Sequence, residues 1–126
     1  MKPPRFTLGT VIVLAAVHAL AQVPQEFPPN AASISADQLK ERLTDRVFTA
    51  RMTDGKDWRW EWKSSGYIFL NISGGYSDSG KWRTEDGKVC VEMNKSGASC
   101  SDMRMVGDVL YLKRASNGEV IGLQPK

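Results

Sequence analysis

From Arg46 onward, apolar and polar residues alternate with a period of two, in short runs separated by turn residues. That period belongs to half-buried strands, because successive side chains of a strand point to opposite faces. The runs are Arg46–Thr53, Trp58–Lys63, Tyr67–Ser73, Gly80–Thr84, Lys88–Met93, Ser99–Met105, Val109–Arg114 and Val120–Leu123. Between them stand segments such as Asp54-Gly55-Lys56, Glu85-Asp86-Gly87 and Ser116-Asn117-Gly118, the residue types that reverse a chain. Upstream the period changes. Ser35-Ala36-Asp37-Gln38 is a capping box, and Leu39 and Leu43 share one face of the helix that it opens. The pattern predicts a mainly β domain: one short N-terminal helix, then an antiparallel meander of about eight strands forming a small barrel or a sandwich. No crossover helix separates the strands, which excludes a parallel sheet.

Turn chemistry also predicts a register. With Asn94-Lys95-Ser96 as a three-residue loop and Gly97 as the left-handed bulge, Met93 faces Gly97, Lys88 faces Asp102, and Cys90 faces Cys100. These are the only two cysteines, so one disulfide is expected. Val89, Val91, Met93, Ser99, Ser101, Met103 and Met105 then fall on one face. Cys90, Glu92, Cys100, Asp102 and Arg104 fall on the other, so the bridge staples the polar, outward face. Closing a loop of this size stabilises by about 3 kcal/mol in the chain-entropy picture.

The run Asp57–Lys63 holds three of the four tryptophans. In a strand, Trp58, Trp60 and Trp62 share one face and Arg59, Glu61 and Lys63 the other. The rings fill a core, line a concave apolar pocket or form an exposed platform that stacks on sugar rings, and Met103 and Met105 offer a soft, adaptable lining for a pocket. These five residues are the candidate ligand-binding set. In the next run Tyr67, Phe69 and Asn71 alternate with Ile68, Leu70 and Ile72, so both faces are largely apolar. Such a strand is expected to be covered on both sides, with the helix as the candidate cover. Tyr76-Ser77-Asp78-Ser79-Gly80 offers oxygens but too few carboxylates for a calcium loop, and no metal site is expected.

The N-terminus changes the charge balance. Met1–Arg5 is basic, Phe6–Leu20 is mostly apolar, and Ala19-Leu20-Ala21 is the small-x-small pattern of signal-peptide cleavage. The expected organisation is a signal peptide over residues 1–21, a proline-rich leader over 22–32 and a single β-rich domain over 33–126. The location expected is the periplasm or the exterior, with no stable membrane insertion after cleavage. Loss of Lys2 and Arg5 leaves 15 basic against 14 acidic residues, so the pI near 9.0 does not point to nucleic acid. His18, the single histidine, leaves with the signal. The mature chain then has no His for a catalytic triad or a zinc site, and no enzyme activity, catalytic residue or cofactor is expected.

Gly80-Lys81-Trp82, Asp86-Gly87-Lys88-Val89-Cys90, Cys100 and Gly107-Asp108-Val109-Leu110-Tyr111 follow one another along the chain. This order resembles the G-x-W…DG-x-x-C…C core of small exported bacterial β-domain proteins whose families remain uncharacterised. The Gly80-Lys81-Trp82 step alone resembles the lipocalin signature. The resemblance implies an exported β domain with a helix and a disulfide, and it implies no catalytic residues. The expected function is a non-catalytic binding module for a small apolar or amphipathic ligand. The alternative is a periplasmic interaction protein, inhibitor or envelope factor with a filled core, whose partner is a protein.

Overall fold

Ser35 opens the helix as its capping box predicts. The main-chain N–H of Gln38 donates to Ser35 Oγ (3.3 Å), and that of Ser35 donates to Gln38 Oε1 (3.2 Å). Helix α1 (Ala36–Leu43) is too short to be stable alone and buries Leu39 and Leu43 completely. It ends at Thr44, whose main-chain N–H and hydroxyl both donate to the Lys40 carbonyl. Asp45 then takes a left-handed conformation (φ 56°), which turns the chain into the sheet.

The computed structural model describes residues 2–5, 9–13 and 23–126. After α1 come β1 (Arg46–Arg51), β2 (Asp57–Trp62), β3 (Tyr67–Ile72), β4 (Tyr76–Glu85), β5 (Lys88–Met93), β6 (Gly97–Val106), β7 (Val109–Lys113), β8 (Val120–Gly122) and β9 (Gln124–Pro125). Each strand from β1 to β7 pairs antiparallel with the next. The final segment breaks at Leu123, so that β8 bonds β7 on one side while β9 bonds β1 on the other. The meander is thereby a nearly closed, barrel-like sheet rather than a sandwich. The predicted hairpin register holds pair by pair, including Met93↔Gly97, Lys88↔Asp102 and Cys90↔Cys100, and the disulfide is formed.

The core is the inside of the barrel. One end is closed: α1 packs against β4, β1 and β5, and Ile34, Leu39 and Leu43 join Trp62, Ile68 and Met103 in one buried cluster. The helix therefore plugs the barrel and does not lie over the outside of β3. The expectation that β3 is covered on both faces is corrected accordingly: Ile68 and Leu70 are buried, but Tyr67 and Phe69 on the outer face are 50% and 41% exposed. Several boundaries also differ from expectation, and two strands begin earlier by two residues or more. Strand β4 begins at Tyr76, so the Tyr76–Ser79 stretch is strand and not loop, and β6 begins at Gly97.

The proline-rich segment is tied to the barrel. Pro24 accepts from Val120 N–H (2.7 Å), Ala32 and Met105 exchange both main-chain bonds, and Arg104 lies over the Phe27 ring at 4.8 Å. Most of the apolar run Phe6–Leu20 and the expected cut after Ala21 lie outside the described residues. Within the run, Val11, Ile12 and Val13 are exposed. Among the described residues no helix is long and apolar enough to cross a membrane. The disulfide is compatible with an oxidising, exported location.

Candidate functional site

The barrel is hollow at the end away from α1. Trp58, Trp60 and Trp62 climb the inner wall of β2 in three steps, beside Ile72, Leu70 and Ile68 of β3 in register. Together they line a cavity of about 520 Å³, within the range of small-molecule sites. Trp62, 1% exposed, sits deepest and meets Trp82 edge to face at 5.5 Å. Trp60 is buried, and Trp58, half-buried near the mouth, is tilted against it at 5.6 Å. The far wall is Val89, Val91 and Met93 of β5, with Leu112 of β7. The inward-facing tryptophans thus form the wall of an apolar cavity, with Trp60 and Trp62 belonging to the core cluster as well.

Gly80 makes this wall possible. It sits where β4 passes close to β5, and a Cβ there would lie 2.0 Å from the Glu92 carbonyl oxygen. A residue with no side chain is required by contact with backbone, not by turn geometry.

Two of the candidate residues lie elsewhere. Met103 is completely buried in the closed half, and Met105 lines a separate groove with Ile34 and Gln38 beside the helix. Neither borders the tryptophan cavity, and the methionine that does is Met93. Face parity, which the sequence carries, put all three on the inner surface. Height along the strand separates them, and parity says nothing of height.

The mouth is polar, and its acids are already engaged. Asp78 points inward from β4 and is buried. Its Oδ1 accepts from the main-chain N–H groups of Ser79 and Lys95, and its Oδ2 accepts from Ser96 N–H and Oγ and from the Tyr76 hydroxyl. Burial alone would raise its pKa, but these hydrogen bonds outweigh it and hold the carboxyl below the ordinary range. Asp78 thereby ties the β5–β6 loop to β4. Across the mouth, Glu119 is 1% exposed. Its Oε1 accepts from the N–H and hydroxyl of Thr53, and its Oε2 accepts from Arg114 (3.0 Å). Burial again pushes upward, while Thr53 and Arg114 pull further downward, so Glu119 is a carboxylate. The Arg114 guanidinium lies over the Trp58 ring at 4.6 Å, a cation–π contact at the rim of the cavity.

The indole N–H groups of Trp58 and Trp62 are buried with no hydrogen-bond partner, whereas Trp82 donates to the Lys63 carbonyl (3.0 Å). Two unmet donors in one cavity wall are unusual, since a buried N–H without an acceptor costs about 1–3 kcal/mol.

Elsewhere, Glu85, Cys90 and Cys100 bring three potential metal ligands together among the described residues. The two sulfurs are joined to each other and offer no thiolate, so the group does not make a metal centre. Glu85 Oε2 lies 2.8 Å from Cys90 Sγ, a contact without a hydrogen to share. The bridge lies on the outward face as expected, with Cys100 exposed. Cys90 is nonetheless buried there. Arg114, Tyr76, Ser99 and Ser101 complete the mouth and were not among the candidates. The hairpin register already put both serines on the cavity face, so the signal for them was present in the alternation.

No family model, curated protein or solved structure matches the chain.

Proposed function

We propose that the chain is an exported, periplasmic or secreted, non-catalytic binding module whose barrel holds a small apolar or amphipathic ligand. The observation that carries this reading is the cavity of about 520 Å³ walled by Trp58, Trp60 and Trp62. A small β domain stabilises itself by filling its centre, and this one is filled at one end only. An eight-stranded up-and-down barrel has an interior suited to one small ligand. The two acids at the mouth act as structural acceptors in the geometry described above, which leaves them little freedom for proton transfer.

The test is binding. Native mass spectrometry of protein purified from its own host is expected to show added mass, and an apolar fluorescent probe is expected to quench tryptophan emission and be competed away. Trp60→Ala should abolish both. If the tryptophans are inaccessible to acrylamide and no apolar probe binds, the pocket reading fails. The interaction-protein alternative would then gain, and the exposed outer pair Tyr67 and Phe69 is the surface that favours it. Export is tested separately: the mature protein should begin at Gln22.

A further inference from the structure

The barrel wall parts on one side of the cavity. Strand β6 pairs with β5 over Gly97–Asp102 and with β7 over Asp102–Val106. Past Asp102↔Lys113 it has no neighbour on the β7 side. Met103 N–H donates to Gly87, on the β5 side, which sets the phase of the ladder. The main-chain groups of Ala98 and Cys100 therefore face the parting, and among the described residues no main-chain partner meets them. On the opposite lip, Arg114, Ala115 and Ser116 line the same cavity as Ser99 and Ser101.

Among the charged groups at the two lips, only the Arg114 guanidinium keeps free hydrogen-bonding capacity. A guanidinium carries five N–H donors, and Arg114 commits one nitrogen to Glu119 and one face to Trp58. The hydroxyls of Ser99, Ser101 and Ser116 have no hydrogen-bond partner among the described residues. Both neighbouring carboxylates, Asp78 and Glu119, have each oxygen occupied by protein donors. A polar head entering the parting thus meets free guanidinium N–H groups, hydroxyls and the main-chain groups of Ala98 and Cys100, and no free carboxylate. Lys95, which lies over the Tyr76 ring at 5.4 Å, adds a second positive charge near the rim.

Resting on the ligand-binding reading above, we propose that the ligand is an anionic amphipath. Its carboxylate or phosphate head sits in the parting between β6 and Arg114, and its tail runs down the tryptophan wall toward Trp62. At about 30 Å³ per water-sized group, the cavity takes on the order of 15 non-hydrogen atoms, the size of a medium-chain fatty acid. Charge-assisted bonds to a guanidinium are the stronger kind, and a cationic head gains none of them.

Dodecanoate, dodecyl phosphate, dodecanol and dodecyltrimethylammonium share one tail and separate the heads. Titrated into the intact protein at pH 7.5 and read by tryptophan emission, an anion is expected to bind about tenfold to a hundredfold more tightly than dodecanol. The cation is expected to bind most weakly. The order of the two anions says which head fits. In the paired variant Arg114→Gln with Glu119→Gln, which leaves no buried charge orphaned, dodecanol affinity should persist and the anion advantage should vanish. Equal affinity for dodecanoate, dodecyl phosphate and dodecanol in the unmodified protein overturns the proposal, as does a preference for the cation. An anion advantage that survives in the paired variant overturns the role of Arg114. Binding of none of the four sinks the ligand-binding reading itself, a different result from binding without discrimination.

Discussion

The inward row of β6 passes through two different interiors. It reads Gly97, Ser99, Ser101, Met103 and Met105 from the open end to the closed end. Met103 is completely buried with Leu39 and Leu43 of the helix plug, while Ser99 and Ser101 border empty space. The backbone is one continuous strand throughout. What changes is side-chain size, together with the loss of the β7 neighbour beyond Asp102. The cavity is therefore made by small residues on a regular scaffold and by a wall that parts, not by distortion of the strands. The disulfide falls where the parted wall most needs a tie: Cys100 lies in the half of β6 that is held on the β5 side alone.

If the closed half carries the stability and the open half the function, the two should answer to mutation differently. The largest effect is expected at the plug. Leu43→Ala removes a side chain with no exposure from a packed cluster and should cost about 2–5 kcal/mol, read as a shift in denaturant midpoint. Ser99→Ala should change stability by less than about 0.5 kcal/mol, as partner-free surface changes do. Comparable losses at both sites would break the division. Reduction of the disulfide comes next, with an expected loss of about 3 kcal/mol. Hydrogen exchange should then accelerate over Gly97–Ser101 more than over Met103–Val106, which β7 holds independently. Uniform acceleration along β6 would mean that the bridge supports the whole strand and not its one-sided half.

The frame of this comparison was legible in the sequence, and the comparison itself was not. Alternation and turn chemistry are local, so they placed Cys90 opposite Cys100 and the tryptophans inside. They could not place the helix, because an amphipathic face says that something must be covered but not where. Plugging the barrel end satisfied Leu39 and Leu43 and left Tyr67 and Phe69 bare. The start of β4 was hidden because Gly74-Gly75 followed by Tyr-Ser-Asp-Ser reads as a loop. Asp78 sits in that strand because the β5–β6 loop supplies it with main-chain donors from 17 and 18 residues away. Strand β9 is two residues long and contains a proline, so only closure of the barrel identifies it. The cavity was invisible for a related reason. Its volume depends on which inward residues share a level, and level is set by the stagger of strands around the barrel.

A smaller effect tests how the mouth is held. The pKa of Asp78 lies below the ordinary carboxyl value in the folded protein, as does that of Glu119. A depressed folded pKa contributes stability above the unfolded value, about 4, and that contribution is lost as pH falls through the folded value. The denaturant midpoint should hold from pH 7 to about 5 and decline below about 4. Asp78→Asn should lower stability at neutral pH by about 1–3 kcal/mol and make the acid decline shallower, because N–H groups of the β5–β6 loop lose a charged acceptor. An unchanged acid limb in that variant would assign the pH dependence to the other carboxyls held low, Glu119, Asp57 and Glu61.

A modest gain in stability is expected from the sharpest probe, which gives the open half the residue type of the closed half. Ser101 is the next inward position above Met103 and faces Val89 across the ladder. In Ser101→Met, the new thioether would extend into the cavity that Ser101 now lines. Filling a void with an adaptable apolar chain commonly raises stability by about 0.5–2 kcal/mol. The denaturant midpoint should therefore rise while dodecanoate and apolar probes lose their quenching of the tryptophans. Such a trade would mean that the space is kept at the expense of stability, as expected of a site and not of a packing flaw. A midpoint that falls would mean instead that the walls cannot close on a larger side chain, and side-chain size on β6 would no longer account for the difference between the two halves.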